Sequence, residues 1–411
     1  MTKKIILLGL AIFLLTSNHS CIAPTGNAQE MRGVWVATVL NLDYPSMPTH
    51  SNEALKNEAD AILDRAVEMR LNTIFLQVRP TSDAFYKSEI FPWSEYLTGT
   101  QDVMPLADFD PLEYWIRGAH ARGLKLHAWI NPYRITKNTS REQPKTLEML
   151  SEYHPARLRP ELVIAHKGDL YYDPALPEAQ DLILAGVKEI IDNYRVDGIH
   201  FDDYFYPDRD FADDASYKKY GQGMKIGDWR RNNVNQLIGK VHVLVKTKNQ
   251  SLQFGISPFG IWANDNSMPQ GSKTNGNQAY FSHYADTLKW VREEKIDYII
   301  PQLYWHIGHE LADYKTLVAW WSNAVSGTHT RLYIGHAVYR AGGSDSSSPW
   351  FEDKEILRQL NLNREYPAVS GSVFFREGNF KDNDLLKNAV KKHYEEYDNK
   401  VAAKAYKPVG Q

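Results

Sequence analysis

From Met31 onward the chain alternates short runs rich in valine, isoleucine and phenylalanine with amphipathic stretches of helical period, and no other feature restricts the fold as much. The expected strands are Val34–Val39, Thr73–Arg79, Lys125–Asn131, Gly198–Tyr204, Gln253–Gly260, Tyr298–Trp305, Leu332–Tyr339 and Ser372–Arg376. The expected helices are Glu53–Arg70, Pro111–Arg122, Glu178–Tyr194, Asp228–Lys246, Phe281–Glu294, Asp313–Ser326, Asp353–Asn363 and Asp382–Tyr397. Apolar strands separated by helices are parallel, because the crossover helices cover both faces of the sheet. Eight such units predict an α/β fold, a (β/α)8 TIM barrel with enlarged βα loops. The competing doubly wound open sheet lacks the glycine-rich phosphate turn that a dinucleotide fold places after its first strand.

The enlargement follows strands two, three and five. Residues Pro80–Asp108 carry Phe85, Tyr86, Phe91, Trp93 and Tyr96, and Tyr133–Pro177 contains an expected hairpin, Leu162–Tyr172, turning at Lys167-Gly168. Ala263–Ala279 is rich in Asn, Ser, Gly and Gln. Loops of this length are expected to wall a groove rather than to form a second domain. The expected organisation is therefore an export signal at 1–28, one barrel at 29–400 and a tail at 401–411.

The export signal is read from Lys3-Lys4 and the apolar run Ile5–Leu15, which is too short to span a bilayer. Cys21, the only cysteine, sits where a bacterial lipoprotein would be acylated, although Asn18-His19-Ser20 fit such a site poorly. Cleavage after Gly26-Asn27-Ala28 is the alternative and leaves a soluble chain without cysteine. The expected location is the bacterial periplasm or the outer membrane, with a lipid on Cys21 as the one membrane attachment.

The formal charge of −3 becomes −5 without residues 1–28, which carry two lysines and no acid (47 − 2 − 50). With no basic, aromatic-interleaved patch, this balance argues against nucleic acid as a partner. The 11 tryptophans and 24 tyrosines suit carbohydrate recognition, because flat rings cover the apolar faces of pyranoses. A polysaccharide partner and a monomeric state are expected.

In a parallel barrel, chemistry collects at the C-terminal ends of the strands. The segment Asp197-Gly198-Ile199-His200-Phe201-Asp202-Asp203-Tyr204 reads as a buried strand ending in two adjacent carboxylates. The other strand ends offer Arg79, then Asn131 and Arg134, then Ser257, Phe259 and Trp262. Strands six to eight add Gln302, Tyr304 and Trp305, then His336, Tyr339 and Arg340, then Arg376 and Glu377. Polar and aromatic groups converging in this way make a hydrogen-bonding pocket rather than a lipid site. His306-Ile307-Gly308-His309-Glu310 matches neither common zinc-peptidase order, and no Gly-x-Ser-x-Gly elbow or catalytic cysteine is present. No metal and no cofactor is expected.

Met31–Val36, Phe75–Pro80, Trp129–Arg134, Asp197–Pro207 and Pro301–Trp305, in that order, resemble glycosyl-hydrolase-like family 10, exported bacterial barrel proteins. The resemblance spans Met31 to Tyr397. It implies a (β/α)8 fold and glycoside hydrolysis, with peptidoglycan glycan strands as the leading substrate, and does not fix the catalytic residues. Common barrel glycosidases carry a glutamate on strands four and seven, but strand seven here has no acid. The strand-four segment is similar to the chitinase signature Asp-Gly-x-Asp-x-Asp-x-Glu, with His200 and Tyr204 replacing the second Asp and the Glu.

The remaining Asp-Asp pair is similar to the pairs of substrate-assisted hexosaminidases, in which the sugar's own acetamide is the nucleophile. On that reading Asp202 orients the acetamide, Asp203 is general acid and then base, and Tyr304 donates to the acetamide oxygen. Arg79, Asn131, Arg134, His200, Trp262, Gln302, Trp305, His336, Tyr339 and Glu377 are the expected substrate-binding residues. The two alternatives are Asp202 as nucleophile with Glu377 as acid/base, and a non-catalytic glycan-binding barrel. Both carboxylates can reach one sugar only if the strand has ended or bulged at Asp203.

Overall fold

The computed structural model describes residues 30–106, 109–138 and 143–405, so the expected signal at 1–28, with Cys21, lies outside the described residues. Eight strands close into a parallel barrel: β1 Met31–Val36, β2 Thr73–Arg79, β3 Lys125–Ile130, β4 Gly198–Phe201, β5 Gln253–Ile256, β6 Tyr298–Ile299, β7 Arg331–His336 and β8 Val369–Phe374. Each pairs with its neighbours in sequence, and β1 meets β8 through Met31 opposite Gly371. Eight helices follow the strands: α1 Asn52–Glu68, α2 Pro111–Ala121, α3 Pro177–Asn193, α4 Ile226–Lys248, α5 Thr287–Arg292, α6 Tyr314–Ala324, α7 Lys354–Asn363 and α8 Asp384–Ala405. The last helix runs past residue 400, where a tail was expected to begin. No helix among the described residues is long and apolar enough to cross a membrane.

The helices start where the sequence supplies caps. Ser51 and Asp110 accept the Ala54 and Glu113 N–H groups at the starts of α1 and α2, and Pro111 occupies the first turn of α2. The expected helix Phe281–Glu294 is instead a single turn, Ala279–Ser282, followed by α5. Tyr284 adopts a left-handed conformation at φ 52° between them, and Asp286 caps α5. The expected strand Tyr298–Trp305 shrinks to two residues because Pro301 has no N–H to continue the ladder. Single bridges from Gln302 to Phe259 and Gly335 carry the pairing beyond it. Between β3 and α3, Val163–His166 and Asp169–Tyr172 form the expected hairpin, with Lys167 and Gly168 at φ 48° and 86°.

The barrel interior is aromatic. Trp35, Phe75, Trp129, Tyr298, Tyr333 and Val373 fill it together with His127 and His200. Glycines make the room: a Cβ on Gly255 would stand 2.1 Å from the Tyr298 ring, and one on Gly198 would stand 2.5 Å from His127. This dense plug leaves only the C-terminal mouth of the barrel open to chemistry.

Candidate active site

Strand β4 ends at Phe201, so the two residues after it escape strict alternation and both carboxylates turn into the mouth, 5% and 7% exposed. Asp202 leans toward β3, where its Oδ2 accepts a short hydrogen bond from Asn131 Nδ2 and its Oδ1 one from the Tyr204 N–H at 3.4 Å. Asp203 leans toward β6 and is hydrogen-bonded by the Gln302 side chain, whose Nε2 also donates to the Ser257 carbonyl at 3.0 Å.

Burial pushes Asp202 up to about 6, while the Arg134 charge and the donors around it pull it back. Asp203 is driven well above the usual carboxylate range, first by burial and then by the negative charge of Asp202. Both shifts run in the direction that lets the two neighbouring carboxyls hold a proton between them, with burial and the Asp202 charge favouring Asp203 as its holder.

Two supports stand below the pair. Under Asp202, the Thr38 and Val39 N–H groups donate to Gln77 Oε1, each at 3.0 Å, and Gln77 Nε2 donates to Asn131 Oδ1 at 2.7 Å. Under Asp203, Ser257 Oγ lies 3.0 Å from His200 Nε2, which also accepts the Trp35 indole N–H at 3.1 Å. Because indole only donates, His200 carries its proton on Nδ1 and gives it to the Tyr298 hydroxyl at 3.2 Å. His200 is fully buried with both nitrogens occupied, so it braces the floor rather than meeting a ligand.

The mouth itself is aromatic and partly unsatisfied. The Tyr304 hydroxyl is buried and has no hydrogen-bond partner among the described residues, and burial, then the nearby Asp203 charge, discourages its ionisation. Its ring stacks on Phe375 at 5.8 Å and meets Tyr339 edge-on at 6.0 Å. Tyr204 and Tyr339 are exposed beside the pair, and Tyr204 stands edge-on to Phe259. Arg134 donates through Nε and Nη2 to the Pro80 carbonyl, and its charge reaches both aspartates.

Four of the expected substrate-binding residues point away. A bulge sets Gln77 and Arg79 opposite Trp129 and Ile130, so Arg79 faces outward, flat on the Phe91 ring at 3.7 Å and against Gly186 of α3. His336 follows Leu332 and Ile334 to the outer face, where Gln359 Oε1 and Ser372 Oγ each lie 3.0 Å from one of its nitrogens. Glu377 is ion-paired with Arg65 of α1. Trp262 stacks on Trp320 and lines a separate cavity of about 360 Å3 with Tyr280 and Asp286. Trp305 is partly buried, and its carbonyl accepts from Gln359 at 3.0 Å. His309 Nδ1 serves as acceptor for the Leu311 and Ala312 N–H groups, at 3.3 and 3.2 Å. Gln77 was not among the expected site residues, although a polar side chain in register with inward-facing Phe75 marks it.

A groove of about 780 Å3 between α3 and α4, lined by Leu184, Ala185, Gly239, Val243 and Leu244, lies on the outer flank and includes none of these residues. Polar groups with unspent hydrogen-bonding capacity converge at the acid pair rather than in this groove.

The glycosyl hydrolase-like 10 family model matches residues 30–352. Glycosyl hydrolase YngK of Bacillus subtilis is 44% identical over 369 residues, covering 87% of this chain and 71% of that protein. Glycosyl hydrolase DigH of Escherichia coli is 39% identical over 373 residues, covering 85% and 84%. Among solved structures, an α-L-fucosidase isoenzyme from Paenibacillus thiaminolyticus superposes with a TM-score of 0.54 at 13% identity, covering 91% of this chain and 50% of that one. The PgaB (BpsB) glycoside hydrolase domain of Bordetella bronchiseptica gives 0.54 at 12% identity, covering 89% and 98%. At such identities these two attest the barrel fold alone. With a matching family model and close curated relatives, the chain belongs to the glycosyl hydrolase-like 10 family and is a glycosidase.

Proposed function

We propose that the protein hydrolyses glycans of N-acetylated amino sugars, peptidoglycan glycan strands foremost, by substrate-assisted catalysis at Asp202 and Asp203. The observation that carries this reading is the division of labour within the pair. One carboxylate is braced as an acceptor by Asn131 and the Tyr204 N–H, and the other lies buried beside its charge, which favours the protonated form.

In the first step the acetamide oxygen attacks the anomeric carbon as the glycosidic bond breaks, and Asp203 passes its proton to the leaving oxygen. Asp202 accepts the acetamide N–H and balances the positive charge that develops on the ring formed. The partnerless Tyr304 hydroxyl donates to the acetamide oxygen and fixes its approach. In the second step water attacks the anomeric carbon, Asp203 takes its proton, and the acetamide is restored. Exposed Tyr204 and Tyr339 supply rings for the flanking sugars, and Arg134 supports the ionised form of Asp202. No distant second carboxylate is needed, in keeping with the outward turn of Glu377. The expected export signal would deliver the enzyme to the cell envelope, where such strands are found.

The test is mass spectrometry of products after incubation with peptidoglycan, intact and stripped of stem peptides, beside Asp202→Asn and Asp203→Asn. New reducing-end saccharides that disappear in both variants support the reading. Products that persist in the Asp203→Asn variant refute the mechanism, and products from other polysaccharides alone refute the substrate.

A further inference from the structure

We infer that Gln77, buried below the pocket, is a positioning residue: it fixes which way the Asn131 amide points and so keeps Asp202 a hydrogen-bond acceptor. The inference rests on the proposed function in one respect, that Asp202 must be ionised to receive the acetamide N–H.

The polarity of the chain of contacts is fixed at its far end. The Thr38 and Val39 N–H groups can only donate, and both reach the same side of the Gln77 amide at 3.0 Å. That side must be Oε1, so Nε2 faces Asn131, 2.7 Å away. Asn131 then has no choice but to turn Oδ1 to Gln77 and Nδ2 to Asp202 Oδ2. The Thr38 hydroxyl donates to the Gln77 carbonyl at 2.8 Å, which clamps the end of β2 against the turn after β1. Gln77 and Asn131 are 0% and 1% exposed, so water does not compete for these bonds.

Each amide passes on the direction of the one before it. Two backbone N–H dipoles from the end of β1 are thereby presented at the carboxylate three bonds away. An ionised Asp202 accepts from Asn131 directly, whereas a reversed Asn131 would set two acceptors against each other. The Asn131 hydrogen bond at the end of the relay opposes the effect of burial on Asp202. The other charged and titratable groups facing Asp202 are Asp203 beside it, Arg134 from the loop after β3 and the Tyr204 phenol; the Tyr304 phenol faces Asp203.

Two substitutions separate positioning from packing. Gln77→Glu keeps an acceptor for Thr38 and Val39 but loses the donor to Asn131. Gln77→Met removes the amide at similar volume and adds no charge. In the full chain labelled with 13C at aspartate carboxyls, Asp202 is identified by the signal lost in Asp202→Asn, and its titration midpoint is read directly. The acidic limb of kcat/KM against pH is measured on the same variants with stripped glycan strands.

Loss of one donor to a carboxylate is expected to raise both midpoints by about one pH unit in the Met variant and further in the Glu variant. Midpoints unchanged in both variants, with only the melting temperature lowered, would reduce Gln77 to packing and overturn the inference. If the Met variant does not fold, the Glu variant decides. If wild-type protein cuts no amino-sugar glycan yet the Asp202 signal still shifts, the substrate reading fails and the relay stands.

Discussion

The polar side chains at the strand ends fall into two groups, one buried or partly buried and the other buried throughout. Asn131, Asp202, Asp203, Gln302 and Tyr304, on or after β3, β4 and β6, turn into the barrel mouth. Arg79, His336 and Glu377, on or after β2, β7 and β8, turn outward into the layer between barrel and helices. The difference lies in what their hydrogen bonds are used for. His336 has both nitrogens engaged and Glu377 has Arg65, so these groups are spent on holding helices to strands. Arg79, without a hydrogen-bond partner among the described residues, is instead stacked between Phe91 and Gly186. The inward group holds Asp203 raised above the ordinary carboxylate range and a buried Tyr304 hydroxyl that meets no partner among the described residues. Burial and polarity alone do not single out a candidate catalytic residue; unspent capacity at the open end of the barrel is the stronger mark.

The widest separation between the two groups is expected at Asp203. Asp203→Asn should lower kcat by roughly 10^3-fold, the range lost with a general acid. The same substitution should stabilise the protein at neutral pH. A carboxyl whose folded pKa is raised contributes stability fully below its unfolded value, near 4, and loses it as pH rises through the folded value. Melting temperatures of wild type and variant should therefore agree near pH 4 and diverge above neutrality, with the variant higher. A variant that melts lower at every pH would place Asp203 among the structural residues.

Asp202→Asn should cost less, roughly 10^2-fold in kcat, because an amide can still meet the acetamide but carries no charge to balance the developing cation. The acidic limb of kcat/KM should fall near pH 6, where Asp202 takes up its proton. A limb at the ordinary carboxylate value would mean that burial at the mouth is relieved by solvent.

Glu377→Gln probes the outward group with the opposite signature. It leaves Arg65, whose side chain is 17% exposed, without its anion, and stability should drop by roughly 3 kcal/mol in urea unfolding. kcat/KM of the folded fraction should stay near wild type. A hundredfold loss of kcat at unchanged stability would dissolve the distinction between the groups and revive a two-carboxylate mechanism.

Much of this architecture is legible in the sequence because its determinants are local. Thr73–Arg79 forms the strand its pattern predicts, and Lys167-Gly168 makes the predicted turn because both residues take the left-handed conformation. The acid pair is legible for a similar reason: an apolar strand that stops at two aspartates on a parallel barrel has few other uses. The outward residues were misplaced for two different reasons. Counting alternate residues from Leu332 puts His336 on the outer face, so parity held the answer. The same count puts Arg79 inside with Phe75 and Gln77, and only the bulge against β3 reverses it. Bulges are set by pairing with a distant strand, and nothing near Arg79 announces one.

The smallest expected effect tests the aromatic rim of the inward group. Tyr204 and Tyr339 are 42% and 46% exposed, and each packs edge-on against a neighbour, Phe259 for Tyr204 and Tyr304 for Tyr339. Edge contacts leave a ring face free, and a sugar stacked there is worth about 1 kcal/mol. Tyr339→Ala should therefore raise KM about fivefold for glycan strands, with kcat within about twofold, since the ring touches no reacting atom. Its loss also uncovers Tyr304, so Tyr339→Phe is the control: it keeps the ring, gives up only the acceptor for Arg340 Nε at 3.3 Å, and should restore KM. If Tyr339→Ala instead lowers kcat and leaves KM alone, the ring acts by holding the Tyr304 hydroxyl in place, and the mouth has one fewer sugar platform than its aromatic rim suggests.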